Sequence, residues 1–148
     1  MMIARRFLLA IATPLAMVAL AAPAAAAVIN VVKTASCGCC GKWVEHMKRA
    51  GHDVRVTNVE DVTSTARRLG VPDDLRSCHT SSVGKYAIEG HVPAADIAKL
   101  LRERPVAAGI AVPGMVAGSP GMEMGGQKMA YQTILFTRDG NRRVFVQH

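Results

Sequence analysis

Three cysteines lie within four residues of this chain, in the segment Cys37-Gly38-Cys39-Cys40. An apolar-rich run, Val28 to Val32, comes just before them and predicts a buried strand, and a helical pattern comes directly after. This order places the cysteines at the N-terminus of a helix. There the free backbone N–H groups and the helix dipole lower the pKa of a thiol and favour the thiolate, which binds soft metals and attacks disulfides. The segment therefore predicts an α/β fold with a reactive thiol site where the first strand meets the first helix.

A second group of soft donors lies further along the chain. Cys78 is followed at once by His79, and four methionines lie in one stretch rich in Gly and Pro: Met115, Met122, Met124 and Met129. Thiolate, thioether and imidazole together form a donor set that selects Cu(I). The candidate metal ligands are therefore Cys37, Cys39, Cys40, Cys78, His79, Met115, Met122 and Met124.

The cysteines are the strongest of these candidates. Three closely spaced thiolates, joined by Cys78 from elsewhere in the chain, predict several Cu(I) ions bridged by sulfur. Zinc is the competing metal, because four sulfurs also satisfy a tetrahedral site, although structural zinc sites usually take two pairs of ligands from separate turns. For His79 a solvated loop position is an equal alternative, and each methionine is equally well explained as a packing residue. His91 is expected to act only near the cap of the helix that follows it.

The first residues of the chain have the pattern of an export signal. Arg5 and Arg6 precede an apolar core, Phe7 to Leu20, and a run of small residues follows. The sequence thus predicts a signal peptide over residues 1–27 that is cleaved, and a mature periplasmic domain over residues 28–148. The apolar core is short for a membrane span, so no stable membrane insertion is expected after cleavage. Cleavage removes two arginines, so the 18 basic residues fall to 16 against 11 acidic ones, and the net charge falls from +7 to +5. This excess is modest and unclustered, which argues against a nucleic-acid partner.

Patterns along the mature chain predict a single α/β domain with a mixed sheet. The predicted strands are Val28–Lys33, Asp53–Thr57, Lys85–Glu89, Tyr131–Thr137 and Arg142–Gln147, the last two joined by a hairpin at Asp139-Gly140. The predicted helices are Gly41–Ala50, Asp61–Leu69 and one opened by Pro93. The strand and helix near Pro93 form an insertion, Asp73–Ser82 is predicted to be a polar loop, and Gly109–Gly126 a loop rich in Met, Gly and Pro.

Several motifs in a fixed order resemble the DUF411 family of exported, CopG-like copper-resistance proteins. They are Cys37-Gly38-Cys39-Cys40, Cys78-His79-Thr80, and the segments Tyr86–Pro93, Gly109–Met115 and Gly118–Glu123. The resemblance spans nearly the whole mature chain and implies a thioredoxin-like fold, a periplasmic location and copper binding through the cysteines. The segment ending at Pro113 resembles the proline loop that faces the cysteine motif in thioredoxin-like folds. This likeness implies a cis peptide bond at Pro113 and a position for Met115 close to Cys37.

Functions of different classes follow from these residues. The first is copper resistance, with Cu(I) held by thiolates and with other periplasmic copper-handling proteins as partners; storage, transfer and oxidation of copper all remain open. The second is a thiol–disulfide oxidoreductase in which Cys37 attacks and Cys40 resolves. A third, simpler alternative is a binding domain stapled by two structural disulfides. The additional cysteines and methionines favour copper, but they do not decide whether the chain is an enzyme.

Overall fold

The computed structural model describes residues 26–148, so the predicted export signal lies almost entirely outside the described residues. The strands are β1 (Val28–Lys33), β2 (Asp53–Asn58), β3 (His79–Val83), β4 (Tyr86–Gly90), β5 (Gly109–Val112), β6 (Gln132–Phe136) and β7 (Arg142–Gln147). The helices are α1 (Gly38–Arg49), α2 (Thr63–Arg68) and α3 (Ala94–Glu103), and a 3₁₀ turn spans Asp73–Leu75. Among residues 26–148, no helix is both long and apolar enough to span a membrane.

The seven described strands form one sheet, in the order β2-β1-β3-β4-β5-β6-β7. The pairs β1–β2 and β4–β5 are parallel, and the other four pairs are antiparallel. The predicted α/β fold with a mixed sheet is therefore confirmed, whereas its finer thioredoxin-like assignment stays a prediction. Helix α1 connects β1 to β2, so its N-terminus lies at the C-terminal end of β1.

Both faces of the sheet are covered by apolar side chains. Helices α1 and α3 pack on one face, where Trp43, Ile97 and Leu100 join the larger apolar core. Ala66 of α2 packs on the other face, in a smaller cluster that includes Phe136. Because the sheet is enclosed on both sides, the ends of its central strands are held at fixed positions relative to α1.

The structure corrects the predicted loop over Asp73–Ser82. The second half of that segment begins strand β3, which lies between β1 and β4. The sequence of β3 is His-Thr-Ser-Ser-Val, yet four of its five residues are buried. Pairing on both sides satisfies the backbone of β3, and Thr80 Oγ1 donates a hydrogen bond of 2.6 Å to Glu89. The Ser81 hydroxyl and the His79 Nε2 have no hydrogen-bond partner among the described residues. A polar strand of this kind has no alternating apolar pattern, so the loop prediction is wrong here.

Other predicted boundaries also move. The first residues of the predicted Gly109–Gly126 loop form β5, which is buried and pairs with β4 and β6. No cis peptide bond occurs among residues 26–148, so the cis bond implied at Pro113 is wrong. Helix α1 begins at Gly38 and not at Gly41, so Cys39 and Cys40 lie inside its first turn.

A two-residue turn, Gly84-Lys85, joins β3 to β4. Gly84 has a φ of +55°, a conformation that glycine adopts without steric cost and that tight hairpin turns require. The register pairs Val83 with Tyr86 and Thr80 with Glu89. Continued two residues beyond that last pair, the same register places the residue before β3 opposite His91.

Candidate metal centre

Four cysteines meet at one end of the sheet. Strand β1 ends at Lys33, and a short turn leads to α1, whose N-cap is Cys37. Strand β3 runs antiparallel to β1 and pairs His79 with Lys33, so β3 begins where β1 ends. Cys78 immediately precedes β3 and is thereby brought to the N-terminus of α1, although it lies 38 residues after Cys40.

The four sulfur atoms form a compact group in which all lie within 4.8 Å of one another. Cys37 and Cys40 are joined by a disulfide bond, and Cys39 and Cys78 keep free thiols. The Sγ of Cys39 lies 3.5 Å from that of Cys37 and 3.7 Å from that of Cys78. The Sγ of Cys78 also lies 3.5 Å from that of Cys40. Each sulfur therefore has two close sulfur neighbours, and once the disulfide is reduced a metal ion between two neighbours can bind both.

The thiols differ in their surroundings. Cys40 is fully buried, and the other three cysteines are half-buried. The backbone N–H of Cys40 donates a hydrogen bond of 3.4 Å to the Sγ of Cys37, and the same donor would stabilise a Cys37 thiolate after reduction of the disulfide. Burial, followed by the neighbouring Cys39, raises the pKa of Cys78 to about 12. Cys78 therefore keeps its proton until a metal ion replaces it.

His91 also belongs to this group, so the expectation that it acts only near a helix cap is wrong. Its side chain is fully buried, and its Nε2 lies 3.1 Å from the Sγ of Cys78. Its Nδ1 lies 2.8 Å from the carbonyl oxygen of Pro120, which can only accept, so Nδ1 carries the hydrogen. Burial lowers the pKa of His91 and favours the neutral ring, whose Nε2 lone pair then points at Cys78. A histidine held by a backbone carbonyl at one nitrogen is oriented as metal-binding histidines usually are.

His79 is buried and not solvated. Its ring packs against the ring of Trp43, with 4.6 Å between centroids, and its Nδ1 lies 3.6 Å from the Sγ of Cys78. Its Nε2 has no hydrogen-bond partner among the described residues. Burial, followed by His91 and Lys33, lowers the pKa of His79 to about 3, so the ring is neutral at physiological pH. Neutral imidazole is the form that binds metals, so His79 remains a candidate ligand.

Glu89 fixes the segment that carries Cys78, a role that the sequence analysis missed. Its buried carboxylate accepts hydrogen bonds from the backbone N–H of Ser77, at 2.7 Å, and from the hydroxyl of Thr80, at 2.6 Å. These two donors lie on either side of Cys78. The hydroxyl of Ser77 in turn donates to the carbonyl oxygen of Gly114. Cys78 is thus held between β4 and the loop that follows β5.

That loop packs against the start of α1. The carbonyl of Pro120 receives the hydrogen bond from His91, and a Cβ on Gly121 would lie 2.7 Å from the carbonyl oxygen of Cys39. Met122 comes next and is half-buried, whereas Met115 and Met124 are 60% and 59% exposed. The structure therefore seats residues 120–121 on the cysteine segment. The ligand roles of the three methionines, and the closeness of Met115 to Cys37, stay predictions.

Two comparisons connect this geometry to known proteins. Residues 75–122 match the family described as "Protein of unknown function, DUF411". A solved structure named copper resistance protein CopG, form 2, is 44% identical, with a TM-score of 0.80 over 84% of this chain and 99% of that chain. This chain belongs to the CopG-like DUF411 family. Form 1 of the same protein is 46% identical, with a TM-score of 0.77 over 82% and 96% of the two chains. No curated protein sequence matches.

The segment matched to DUF411 contains one half of the centre. We call Cys78, His79 and His91 the sheet half, and they lie within residues 75–122. We call Cys37, Cys39 and Cys40 the helix half, and they precede that segment. The distances between the two halves of the centre are therefore set by the packing of α1 against the matched segment.

Proposed function

We propose that this protein is exported to the periplasm and binds Cu(I) there as part of copper resistance. The observation that carries the proposal is the group of four sulfur atoms within 4.8 Å of one another, from Cys37, Cys39, Cys40 and Cys78. In the reduced state these residues supply four thiolates, which select Cu(I) over harder ions. Both similar solved structures carry the name copper resistance protein, which supports copper as the metal.

Several Cu(I) ions per chain are proposed because the sulfurs are arranged as a ring of neighbours. Three contacts of 3.5–3.7 Å and the Cys37–Cys40 pair close this ring. A thiolate sulfur has more than one lone pair and can bridge two ions, so ions can occupy the edges of the ring. His79, Met115, Met122 and Met124 are proposed as additional donors to these ions.

The proposed mature domain, residues 28–148, exchanges copper with other periplasmic copper-handling proteins. Met115 and Met124 suit this exchange because both are more than half exposed. Thioethers are neutral and bind Cu(I) without losing a proton, so they hold copper less tightly than the thiolates behind them. Fractionation of cells that express the full chain checks export: the protein should appear in the periplasm, shortened by residues 1–27.

The copper proposal is tested by anaerobic titration of the fully reduced chain with Cu(I) against a competing chelator. More than one Cu(I) per chain is expected to bind. Cys78→Ser should lower both affinity and stoichiometry without unfolding the protein. His52→Ala, which changes a histidine at the opposite end of β1, should leave both unchanged. Saturation at one equivalent or less, or preferential retention of zinc, would contradict a copper cluster.

A second function, thiol–disulfide exchange, is favoured by one specific observation: the Cys37–Cys40 disulfide spans the first turn of α1. In this proposal a substrate dithiol is oxidised to a disulfide while the Cys37–Cys40 bond accepts its two electrons and two protons. In the reverse direction, the reduction of a substrate disulfide, Cys37 of the reduced protein is the attacking thiolate, because it is half-buried and its sulfur receives the N–H of Cys40. Cys40 is fully buried and resolves the mixed disulfide.

The exchange activity is measured as oxidation of a small dithiol peptide by metal-free protein. The parent protein should oxidise one dithiol per Cys37–Cys40 disulfide, and Cys37→Ser and Cys40→Ser should each abolish this oxidation. The matched control is Cys39→Ser, which removes the neighbouring thiol and leaves the disulfide pair intact. Equal rates in all three variants would reject the oxidoreductase function while leaving copper binding to its own test.

A further inference from the structure

The sheet half is a set of metal donors of its own. The Sγ of Cys78 and one ring nitrogen from each of His79 and His91 all lie within 4.8 Å of one another. The Sγ of Cys78 is 3.6 Å from Nδ1 of His79 and 3.1 Å from Nε2 of His91. None of these atoms takes part in the Cys37–Cys40 disulfide. The set is therefore present while the disulfide is intact, when Cys37 and Cys40 offer no thiolate.

The spacing of these three atoms suits one ion. A metal–sulfur bond of about 2.3 Å and a metal–nitrogen bond of about 2.0 Å, at angles between tetrahedral and trigonal, place sulfur and nitrogen about 3.5–3.7 Å apart. The 3.6 Å between the Sγ of Cys78 and the Nδ1 of His79 falls in this range. His91 Nε2 lies closer to the sulfur, at 3.1 Å, and an outward movement of about half an ångström brings it to the same range.

Both rings are held by contacts that lie outside the disulfide. The Nδ1–H of His91 donates to the carbonyl oxygen of Pro120 at 2.8 Å, which leaves Nε2 as the free nitrogen. The ring of His79 packs on Trp43, and its only hydrogen-bond contact within the described part of the chain is the Sγ of Cys78. No acceptor other than that sulfur holds a hydrogen on Nδ1 there. The ring of His79 is therefore free to carry its hydrogen on Nε2 and to present Nδ1 to an ion.

The donor chemistry points to copper. One thiolate with two neutral imidazoles is the donor set of trigonal copper sites, and it is less soft than a set of four thiolates. His79 and His91 are both fully buried, whereas Cys78 is half-buried. The imidazoles are therefore shielded from water, and an ion reaches the site from the side of the sulfur.

We propose that Cys78, His79 and His91 form a single-ion copper site that is complete without the helix half and is available while the Cys37–Cys40 disulfide is intact. The inference rests on the proposed binding of copper by this protein and deepens it. When the ion binds, a metal–sulfur bond replaces the S–H bond of Cys78, and the proton passes to solvent. Each imidazole donates a lone pair and keeps its one hydrogen. No electron is transferred.

The test uses Co(II), whose visible absorption reports a low coordination number and which gives a charge-transfer band when it binds a thiolate. In Cys39→Ser with the disulfide intact, Cys78 is the only free thiol, because Cys39 and Cys78 are the two free cysteines of the parent. Thiol counting verifies this state. Under anaerobic conditions the variant should bind one Co(II) per chain and show the charge-transfer band. One equivalent of Cu(I) should then displace the Co(II).

Tryptophan fluorescence gives a second readout, which reports position. Trp43 is the single tryptophan of the chain, and its ring centroid lies 4.6 Å from that of His79. Co(II) bound by His79 should therefore quench the fluorescence of the Cys39→Ser protein. The parent with its disulfide intact should show the same quenching, because its sheet half is the same.

Substitutions in the Cys39→Ser background identify the ligands. His79→Ala and His91→Ala should each weaken Co(II) binding by about tenfold or more, since loss of a ligand costs at least as much affinity as loss of a group that orients one. Cys78→Ser should remove the charge-transfer band and serves if a histidine variant fails to fold. His52→Ala is the matched control and should leave the affinity and the band unchanged.

The outcomes separate this inference from the copper cluster. If Cys39→Ser with its disulfide intact binds no Co(II), or binds it equally well after both histidine substitutions, the single-ion site is rejected. Several Cu(I) ions on the reduced parent would still support the cluster. Co(II) that stays bound against one equivalent of Cu(I) would also overturn the proposal, because the site would then not be one for copper. If the sheet half binds as expected but the reduced parent takes up at most one Cu(I), the site stands and the cluster fails.

Discussion

The helix half and the sheet half of the centre are held by different kinds of interaction. The helix half takes three cysteines from four neighbouring residues, and two of them are joined by a disulfide. The sheet half takes its donors from two strand ends, with Cys78 and His91 13 residues apart, and both of its histidines are fully buried. Local geometry therefore holds the first half, and packing of the sheet holds the second. The hydrogen bonds that hold Cys78 and His91, from Ser77 and Thr80 to Glu89 and from His91 to Pro120, do not involve Cys37 or Cys40. The comparison therefore shows that the disulfide belongs to one half, whereas the supports of the other half are independent of it.

The largest effect is expected where the two halves touch. Trp43 of α1 is fully buried, donates from Nε1 to the carbonyl oxygen of Val92 at 2.8 Å, and packs on the ring of His79. Trp43→Ala should lower the free energy of unfolding of the metal-free protein by about 3–5 kcal/mol, because it leaves a large cavity. Urea unfolding measures the change. Trp43→Phe keeps an aromatic ring and should lower the free energy of unfolding by less. Equal losses in the two variants would show that an aromatic ring at this position does not stabilise the contact between the two halves.

A smaller effect is expected at the loop that covers the helix half. Gly121 has a φ of +83°, and a Cβ there would lie 2.7 Å from the carbonyl oxygen of Cys39. Gly121→Ala should destabilise the protein by about 2–4 kcal/mol, through the left-handed conformation and through overpacking.

Gly126→Ala is the matched control for this variant. Gly126 has nearly the same φ, +82°, but no atom lies within 4 Å of its added Cβ. It should therefore cost only the conformational part, about 1–2 kcal/mol. Thermal unfolding compares the two variants, and equal losses would show that the loop is not seated on α1.

The sheet half should be sensitive to pH. The pKa of His79 is lowered to about 3 in the folded protein, against about 6.5 in the unfolded chain. As pH falls, the unfolded chain takes up a proton first, so stability is complete above about pH 6.5 and is lost progressively between about pH 6.5 and 3. Between pH 7 and 5 the loss through His79 is about 2 kcal/mol. The metal-free His79→Gln variant should lose correspondingly less over this interval; parallel stability profiles would argue against a buried neutral His79.

The smallest effect on stability is expected from Met115, which is exposed, and Met122, which is half-buried. Replacing Met115 and Met122 together by leucine roughly preserves volume and apolarity and should cost less than about 1.5 kcal/mol. Transfer of Cu(I) to a competing chelator should nevertheless become slower, because leucine offers no thioether. Met129→Leu, at a position 63% exposed, is the control and should transfer copper at the parent rate. Unchanged transfer in the double variant would assign both methionines to packing.

The sequence predicts the helix half well because that half is local. A strand, three thiols and a helix follow one another directly, and only the start of α1 moves, from Gly41 to Gly38. The sheet half is predicted only in part. Cys78 is recognisable by its chemistry, but strand β3 is polar and has no apolar alternation to reveal it. Without β3 there is no hairpin register, so nothing in the residue pattern places His91 beside Cys78. The sequence does not predict the role of Glu89 for the same reason, because its partner Ser77 lies just before β3 and its partner Thr80 lies in β3.

The Gly84-Lys85 turn fixes the register that places His91 opposite Cys78, although the turn lies at the far end of the hairpin. The register makes Cys78 and His91 face each other only while the number of residues between them stays the same. One residue added to the turn shifts one strand against the other, and a slip of one residue moves each side chain of that strand to the opposite face of the sheet. Substitutions that keep the turn geometry are therefore compatible with the centre. A single insertion or deletion in the turn moves His91 away from Cys78, although no residue of the centre is itself substituted. The length of this hairpin is therefore as necessary to the centre as the cysteines are.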